Sequence, residues 1–207
     1  MPDAYVVREM ITAEQGDFAE LLQGLAPEEW ETPSLCTGWS VHDVVIHIAI
    51  HSHTSDFERL ALLARAGFSE DRMLEHERAR PPDDLIAWLE SPATLSGARN
   101  LLTQFSELII HQQDVRRPLG AARVIPPERL AAVLDFGITR FGNYAVAGAR
   151  GRAKGLRLVA TDMPWSAGTG PEVSGPGEAL FMALNGRADA LGDLAGSGVD
   201  VFATRVR

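Results

Sequence analysis

Apolar residues recur at helical spacing along the N-terminal part of the chain. Phe18, Leu21, Leu22 and Leu25 follow this spacing after Thr12-Ala-Glu-Gln15, which has the form of a capping box. These residues predict a first amphipathic helix that begins at the capping box and ends at about Leu25.

Capping signals predict a second and a third helix. Ser40-Val-His-Asp43 precedes a periodic run that ends at about Arg65, and Gly67 closes it. Pro81-Pro82-Asp83-Asp84 places prolines and acids where the free amides and the dipole of a helix N-terminus favour them. The segment SPATLSG, residues 91–97, then interrupts the third helix.

Two more helices are predicted further along the chain. The fourth runs from about Leu95 to Val115, where Pro118 follows and stops it. The fifth begins at Pro126-Pro127-Glu128 and ends near Gly142. A series of amphipathic helices joined by short connections predicts a helical bundle.

The helical pattern changes after Lys154. LRLVATD alternates with period two and predicts a short strand, and MPWSAGTGPEVSGPG is rich in turn residues. EALFMALNG predicts a helix, RADALGDLAG a shorter one, and VDVFATRV fits either a strand or a helix. The sequence therefore predicts a helical bundle over residues 1–150 and a small α+β extension over residues 151–207.

Composition and charge narrow the class of protein. The chain has 207 residues, 45% of them hydrophobic, which is enough for one substantial core. Its net charge of −9 argues against nucleic acid as a partner, because phosphate-backbone binders carry clustered lysine and arginine. The apolar run 44–50 is far shorter than the roughly 18 residues of a membrane span. The start MPDAYVVREM shows no secretion signal, so we expect a cytoplasmic protein without a membrane partner.

Cys36 is the only cysteine of the chain. A disulfide within the chain and a multi-thiolate zinc site are therefore excluded, and a bound metal would be held by histidine, aspartate and glutamate. Cys36 itself fits a packed small hydrophobic residue, because a nucleophilic role would need a nearby base that the sequence does not identify.

Candidate metal ligands lie on the second and fourth helices. In ELIIHQQDVRRPLG, Glu107 and His111 are four residues apart and border the apolar arc of the fourth helix. On the second helix His47 and His51 border the apolar arc in the same way, with Asp43 one turn earlier. If the two helices are neighbours, these side chains can converge on one metal ion.

Each of these residues also has an interpretation without a metal. A glutamate and a histidine at this spacing commonly form a weak pair on a helix surface. A single buried histidine such as His47 is commonly a hydrogen-bonded core residue. The spacing by itself leaves both interpretations open.

Two blocks of the sequence resemble the mycothiol-dependent maleylpyruvate isomerase family. They are TPSLCTGWSVHDVVIHIA, with a GW-x₇-H pattern, and SELIIHQQDVRRPLG, with an E-x₃-H-x₂-D-x-R pattern. The later LRLVATDMPWSAGTGPEVSGPGEALFMALNGR is similar to the C-terminal extension of actinobacterial members. The resemblance implies a predominantly α chain, with a DinB-like four-helix bundle and a small C-terminal α+β extension. It also implies a divalent metal, usually zinc, bound by His47, Glu107 and His111.

The resemblance further implies an enzyme that uses mycothiol as thiol cosubstrate. A zinc site with three protein ligands keeps a position for water or substrate, and zinc binds a thiol as its thiolate. The expected reaction is isomerisation or S-transfer on a small electrophilic substrate. Asp43 and Asp114 could accept the other N–H groups of the histidine ligands, although Asp43 could equally be a helix cap. His51 has no counterpart among the family's ligands and is a candidate for a second-shell or substrate-facing group.

The sequence departs from the family in its last part. The family isomerase is expected to have a fuller C-terminal domain that contributes to catalysis, whereas this chain has only about fifty residues after Lys154 and no matching catalytic arginine. Two alternatives to an enzyme therefore stay open. One is a non-catalytic bundle that binds a metal or a small ligand, and the other is a bundle that has lost its metal.

Overall fold

The computed structural model describes residues 2–54, 56–91, 98–139 and 148–206. The chain divides into two compact units, Asp3–Ala122 and Arg123–Arg207. The predicted predominantly α-helical class with a small sheet in the C-terminal part is confirmed. Within the described ranges, no helix is long and apolar enough to cross a membrane.

The first unit is a four-helix bundle with two short helices inserted into it. Helices α1 and α2 each pack against both α5 and α6, which closes the bundle. The insertion, α3 and α4, joins α2 to α5. The elements in chain order are α1 (Ala4–Gln23), a 3₁₀ helix (Pro27–Glu31), α2 (Val41–His53), α3 (Asp56–Arg65), α4 (Glu70–Glu75), α5 (Pro82–Glu90) and α6 (Ala98–Arg116).

Helix α1 begins earlier than the sequence pattern predicted. The Asp3 side chain accepts a hydrogen bond from the Tyr5 amide at 2.8 Å, which caps the helix at Ala4. Thr12 consequently lies inside the helix, and the prediction that a capping box starts there is wrong. The buried stripe of α1 likewise begins before it, at Val7.

Helix α2 begins as predicted but is shorter. The Ser40 side chain accepts from the Asp43 amide at 3.3 Å, as a capping box requires. The predicted continuous helix to Arg65 is wrong, because Thr54 is extended (φ −116°, ψ 139°) and separates α2 from α3. The Thr54 amide and hydroxyl both donate to the Ile50 carbonyl, at 3.0 and 2.7 Å. Gly67 has a φ of +66° and follows the end of α3, as predicted.

Helices α5 and α6 follow the prediction closely. Pro82 is the first residue of α5, and α6 ends at Arg116, just before Pro118. The predicted start of α6 at about Leu95 lies outside the described residues. The expected apolar arc of α6 is fully buried, and it consists of Leu101, Phe105, Leu108 and Ile109.

The second unit combines helices with a small sheet. Helix α7 begins at Pro127 as predicted and ends at Gly137, earlier than expected. Helix α9 packs against both α7 and the sheet, and all of its residues except Glu178 are buried, as expected of a helix that is apolar on nearly every side. The elements in chain order are α7 (Pro127–Gly137), α8 (Ala149–Ala153), β1 (Arg157–Ala160), β2 (Ser166–Gly168), β3 (Glu172–Gly175), α9 (Gly177–Leu184), a 3₁₀ helix (Ala188–Asp193) and α10 (Val199–Ala203).

The three strands are arranged in the order β2-β1-β3, with β1 antiparallel to β2 and parallel to β3. The predicted strand is β1. Strands β2 and β3 lie in the segment that the sequence analysis assigned to turns, and that assignment is wrong. Gly168 in this segment pairs with Arg157 of β1 and has a φ of +79°. A side chain at this position would collide with the Leu156 carbonyl, so the strand pairing requires glycine here. The ambiguous VDVFATRV contains the helix α10.

The division between the compact units falls between Ala122 and Arg123, whereas the sequence suggested a boundary at residue 150. Packing explains the position, because α7 buries its apolar face against α9. A helix that the sequence pattern assigned to the bundle is therefore part of the second unit.

Candidate metal centre

Helices α2 and α6 bring His47, Glu107 and His111 together inside the four-helix bundle. The Glu107 Oε2 atom lies 3.8 Å from His47 Nε2 and 3.2 Å from His111 Nε2. The two imidazole rings meet edge to face with their centroids 4.6 Å apart. Solvent reaches the cluster at Glu107, whose side chain is 21% exposed, compared with 6% for His47 and 9% for His111.

These distances suit a single metal ion. The potential ligand atoms of the three side chains all lie within 4.8 Å of one another. Two ligands of a tetrahedral zinc ion, each about 2.0–2.2 Å from the metal, are separated by about 3.4 Å, and the observed 3.2 and 3.8 Å lie on either side of this value. Two imidazoles and one carboxylate are also the donor set of catalytic zinc sites that keep one position open.

His47 supplies the observation that most favours a metal. It is 5% exposed, and within the described part of the chain neither of its ring nitrogens has a hydrogen-bond partner. A buried polar atom without a partner costs about 1–3 kcal/mol. The alternative of an ordinary hydrogen-bonded core histidine therefore does not apply to His47. A metal ion on Nε2 would give this ring the partner that it lacks.

His111 is oriented from its other side by Asp114. The Asp114 carboxylate is fully buried, and its Oδ2 atom lies 2.9 Å from His111 Nδ1. Once Nε2 loses its proton to make way for a metal ion, the Nδ1 proton donated to this carboxylate keeps the lone pair of Nε2 directed toward Glu107 and His47. This is the arrangement expected of a carboxylate that fixes the tautomer of a metal-binding histidine.

The segment before α2 contributes two residues that the sequence analysis did not place at the site. Cys36 Sγ lies 3.2 Å from Asp114 Oδ2 and 3.5 Å from His111 Nδ1. The Trp39 ring lies on the other histidine, with its centroid 5.0 Å from that of His47. Both residues belong to the block TPSLCTGWSVHDVVIHIA, but only the folded loop brings Cys36 to α6 and Trp39 onto His47.

The two remaining candidates have different surroundings. The centroid of the His51 ring lies 4.2 Å from that of the His47 ring, so the two histidines are in contact along α2. Asp43 caps α2 and forms an ion pair with Arg78 at 2.7 Å. Its described contacts therefore belong to the helix cap and to Arg78.

The charges within the cluster follow from burial and from the short contacts. Burial lowers the pKa of His47, and it lowers the pKa of His51 to about 3, so both rings are neutral near neutral pH. Burial opposes the charge on Glu107, but the 3.2 Å hydrogen bond from His111, together with the nearby His47 ring, outweighs it and holds the Glu107 pKa well below its ordinary value. Burial also opposes protonation of His111, yet Asp114, Cys36 and Glu107 together raise its pKa well above the ordinary value.

These charges predict a pH dependence for metal binding. A metal ion must displace the proton on Nε2 of His111, whereas His47 is already neutral and Glu107 already ionised. Affinity should therefore rise about tenfold per pH unit below the raised pKa of His111 and level off above it. Calorimetric titration in buffers of different ionisation enthalpy should show about one proton released per ion at neutral pH. Binding without proton release would contradict this charge assignment.

Gln104, one turn before Glu107 on α6, gives a prediction about stability. Its side chain is 3% exposed, and neither amide atom has a partner among the described residues. Gln104→Leu removes the unsatisfied amide at similar volume, so it should raise the free energy of unfolding by about 1–3 kcal/mol. Urea unfolding of the metal-free protein measures this change.

Gln112→Leu is the matched control for Gln104→Leu. The Gln112 amide donates to Glu14 and accepts from Arg116, so its removal breaks two buried hydrogen bonds and should destabilise the protein. If Gln104→Leu destabilises the protein as much as Gln112→Leu, the Gln104 amide is hydrogen-bonded after all.

Fold and site together define a helical-bundle protein with a candidate metal centre of two histidines and one glutamate. Residues 11–96 match the model of the mycothiol maleylpyruvate isomerase N-terminal domain, a segment that includes His47 and ends before Glu107. Residues 11–96 are therefore similar to this domain family, and the resemblance read from the sequence is confirmed. No curated protein sequence matches the chain significantly.

Two solved structures share the fold over most of both chains. The crystal structure of the mycothiol-dependent maleylpyruvate isomerase superimposes with a TM-score of 0.62 at 16% identity, covering 95% of this chain and 93% of that chain. A histidine-to-alanine mutant of that isomerase gives a TM-score of 0.61 with the same identity and coverage. Because nearly all of the isomerase is covered, the expectation that this chain has a much shorter C-terminal part is wrong.

Proposed function

We propose that this protein is a divalent-metal enzyme, with zinc as the metal and mycothiol as the thiol cosubstrate, that carries out isomerisation or S-transfer on a small electrophile. The observation that carries the proposal is the cluster of His47, Glu107 and His111, in which the buried His47 ring has no hydrogen-bond partner among the residues that the structure describes. The similarity to a mycothiol-dependent isomerase supports mycothiol as the thiol. A cytoplasmic location suits this chemistry, because small thiols are kept reduced there.

The chain's own residues would prepare the site for a thiol. When bound, a zinc ion stabilises a thiol as its thiolate near neutral pH. His47 and His111 provide neutral nitrogen donors, and Glu107 provides a single negative charge that leaves the centre net positive. Asp114 keeps the Nδ1 proton of His111 in place, so that Nε2 remains available.

The surroundings of the cluster determine how a thiol reaches it. Trp39 and His51 lie against the His47 ring and keep water away from it. Glu107 is the most exposed of the three side chains, so a small thiol would approach from the Glu107 side. The solvent-exposed side therefore gives a small thiol access to the open metal position, whereas the side formed by Trp39 and His51 is closed to it.

Turnover with mycothiol tests the proposal. Metal-loaded protein is incubated with mycothiol and either maleylpyruvate or a generic electrophile, and the formation of isomer or thioether is followed. The wild type should form one of these products, and Glu107→Ala and His111→Ala should proceed at the rate of the reaction without enzyme. If metal-loaded wild type consumes neither substrate faster than these variants, the protein is a metal-binding bundle without this activity.

A further inference from the structure

Residues 33–40, here called the Cys36 loop, fold into a compact turn that is bonded internally. The Ser34 amide donates to the Trp39 carbonyl at 2.9 Å, and the Trp39 amide donates to the Cys36 carbonyl at 3.0 Å. The Cys36 amide donates to the Ser34 hydroxyl at 3.1 Å, and the first and last residues of the loop form an antiparallel bridge. These bonds fix where the Cys36 side chain points.

The Cys36 loop is attached to α6 at Asp114 by two contacts. The Leu35 amide donates to the Asp114 backbone carbonyl at 3.0 Å, and the Cys36 thiol donates to Asp114 Oδ2 at 3.2 Å. The same carboxylate oxygen lies 2.9 Å from His111 Nδ1. Asp114 Oδ2 therefore accepts from Cys36 and from His111 at once.

We propose that Cys36 is a positioning residue of the metal centre, acting through Asp114 on His111; this inference rests on the proposed metal ligation. Each donor to a buried carboxylate restricts its rotation about the last torsion, and the Cys36 thiol adds such a restraint on the oxygen that contacts His111. The restricted carboxylate keeps the His111 ring turned so that Nε2 faces Glu107 and the unpartnered His47. The metal itself would not contact the thiol.

The geometry also distinguishes a positioning role of Cys36 from direct metal ligation by its thiol. Cys36, His111 and Asp114 form a second cluster close enough to hold an ion. An ion there would occupy Nδ1 of His111 and replace the 2.9 Å hydrogen bond to Asp114, and it would leave the partnerless His47 outside the site. An ion held by His47, Glu107 and His111 keeps the hydrogen bond between His111 and Asp114 and gives His47 a ligand role. We therefore assign Cys36 to positioning Asp114 and His111 rather than to binding the metal.

Three variants of the Cys36 loop test the proposal through metal affinity. Cys36→Ala removes the donor to Asp114 and should weaken metal binding about tenfold, at the lower end of the range for outer-shell partners of zinc-bound histidines. Cys36→Ser keeps a donor of similar size and should restore most of that affinity. Thr37→Ala changes an exposed neighbour in the same loop and should bind metal like the wild type. A purely structural role would lower the melting temperature of metal-free Cys36→Ala without this serine rescue.

Cobalt(II) provides a second, independent readout on the wild type. A thiolate bound to cobalt gives an intense charge-transfer band in the near ultraviolet, so a positioning role for Cys36 predicts that this band is absent until a small thiol is added. A band in the resting wild-type protein that disappears in Cys36→Ala would make Cys36 a ligand and overturn the proposal. Equal metal affinity of wild type and Cys36→Ala would also overturn it, as would a wild type that binds no metal. Metal binding with serine rescue but without turnover would retain this inference and refute the proposed enzyme activity.

Discussion

Replacing Glu107 or His111 with alanine is expected to reduce the bound metal from about one equivalent per chain to background. Three protein ligands are the minimum seen in catalytic zinc sites, and removing one leaves two donors with water in the remaining positions. The two residues lie 3.2 Å apart on adjacent turns of α6, so neither can replace the other. Elemental analysis of the purified variants measures the loss, and thiol-dependent turnover should disappear with the metal.

His76→Ala is the matched control for this experiment. His76 is an exposed histidine at the C-terminal end of α4, and its removal should leave the metal content unchanged. Far-ultraviolet circular dichroism should show all three variants folded, because Glu107 and His111 border the core without filling it. A Glu107→Ala or His111→Ala variant that retains one equivalent of metal while folded would contradict the ligand assignment.

Phe105→Ala is expected to produce the largest loss of stability. Phe105 lies in the buried arc of α6 and is fully inaccessible to solvent. Removing a buried phenyl ring costs its transfer free energy and leaves a cavity, which together lower the free energy of unfolding by about 3–5 kcal/mol. Chemical denaturation in the presence of a metal chelator measures this loss apart from any stabilisation by the metal.

Phe57→Ala provides the comparison for Phe105→Ala. The Phe57 side chain on α3 is 80% exposed, so its removal should change the free energy of unfolding by only about 0.5 kcal/mol. The folded fraction of Phe105→Ala should still bind metal, because its ring is not part of the site. Similar stability losses in Phe57→Ala and Phe105→Ala would show that α6 does not pack in the bundle as described.

Helical periodicity predicted the bundle and the direction of its polar side chains. The spacing of Glu107 and His111 on α6, and the position of His47 beside the apolar arc of α2, follow from 100° per residue and are visible in the sequence. Periodicity gave no information on which helices are neighbours. The convergence of His47 with Glu107 could be expected only from the family resemblance.

Features that depend on distant contacts were not visible in the sequence. Cys36 and Asp114 are 78 positions apart, and their contact depends on a loop geometry that no periodic pattern encodes. The break at Thr54, where the backbone is extended, carries no glycine or proline signal in the sequence, so helical periodicity could not locate it. Strand β2 ends in a glycine, and a glycine-rich segment resembles a turn until its pairing partner is known.

X-ray absorption at the zinc edge, recorded before and after mycothiol is added, tests the central claim most directly. The resting protein should show only nitrogen and oxygen neighbours around zinc, from His47, Glu107, His111 and solvent. On addition of mycothiol, one sulfur neighbour should be detected at about 2.3 Å. A first shell that never gains sulfur from mycothiol would contradict mycothiol binding at the metal. A first shell that contains sulfur before mycothiol is added would contradict the assignment of His47, Glu107 and His111 as the protein ligands.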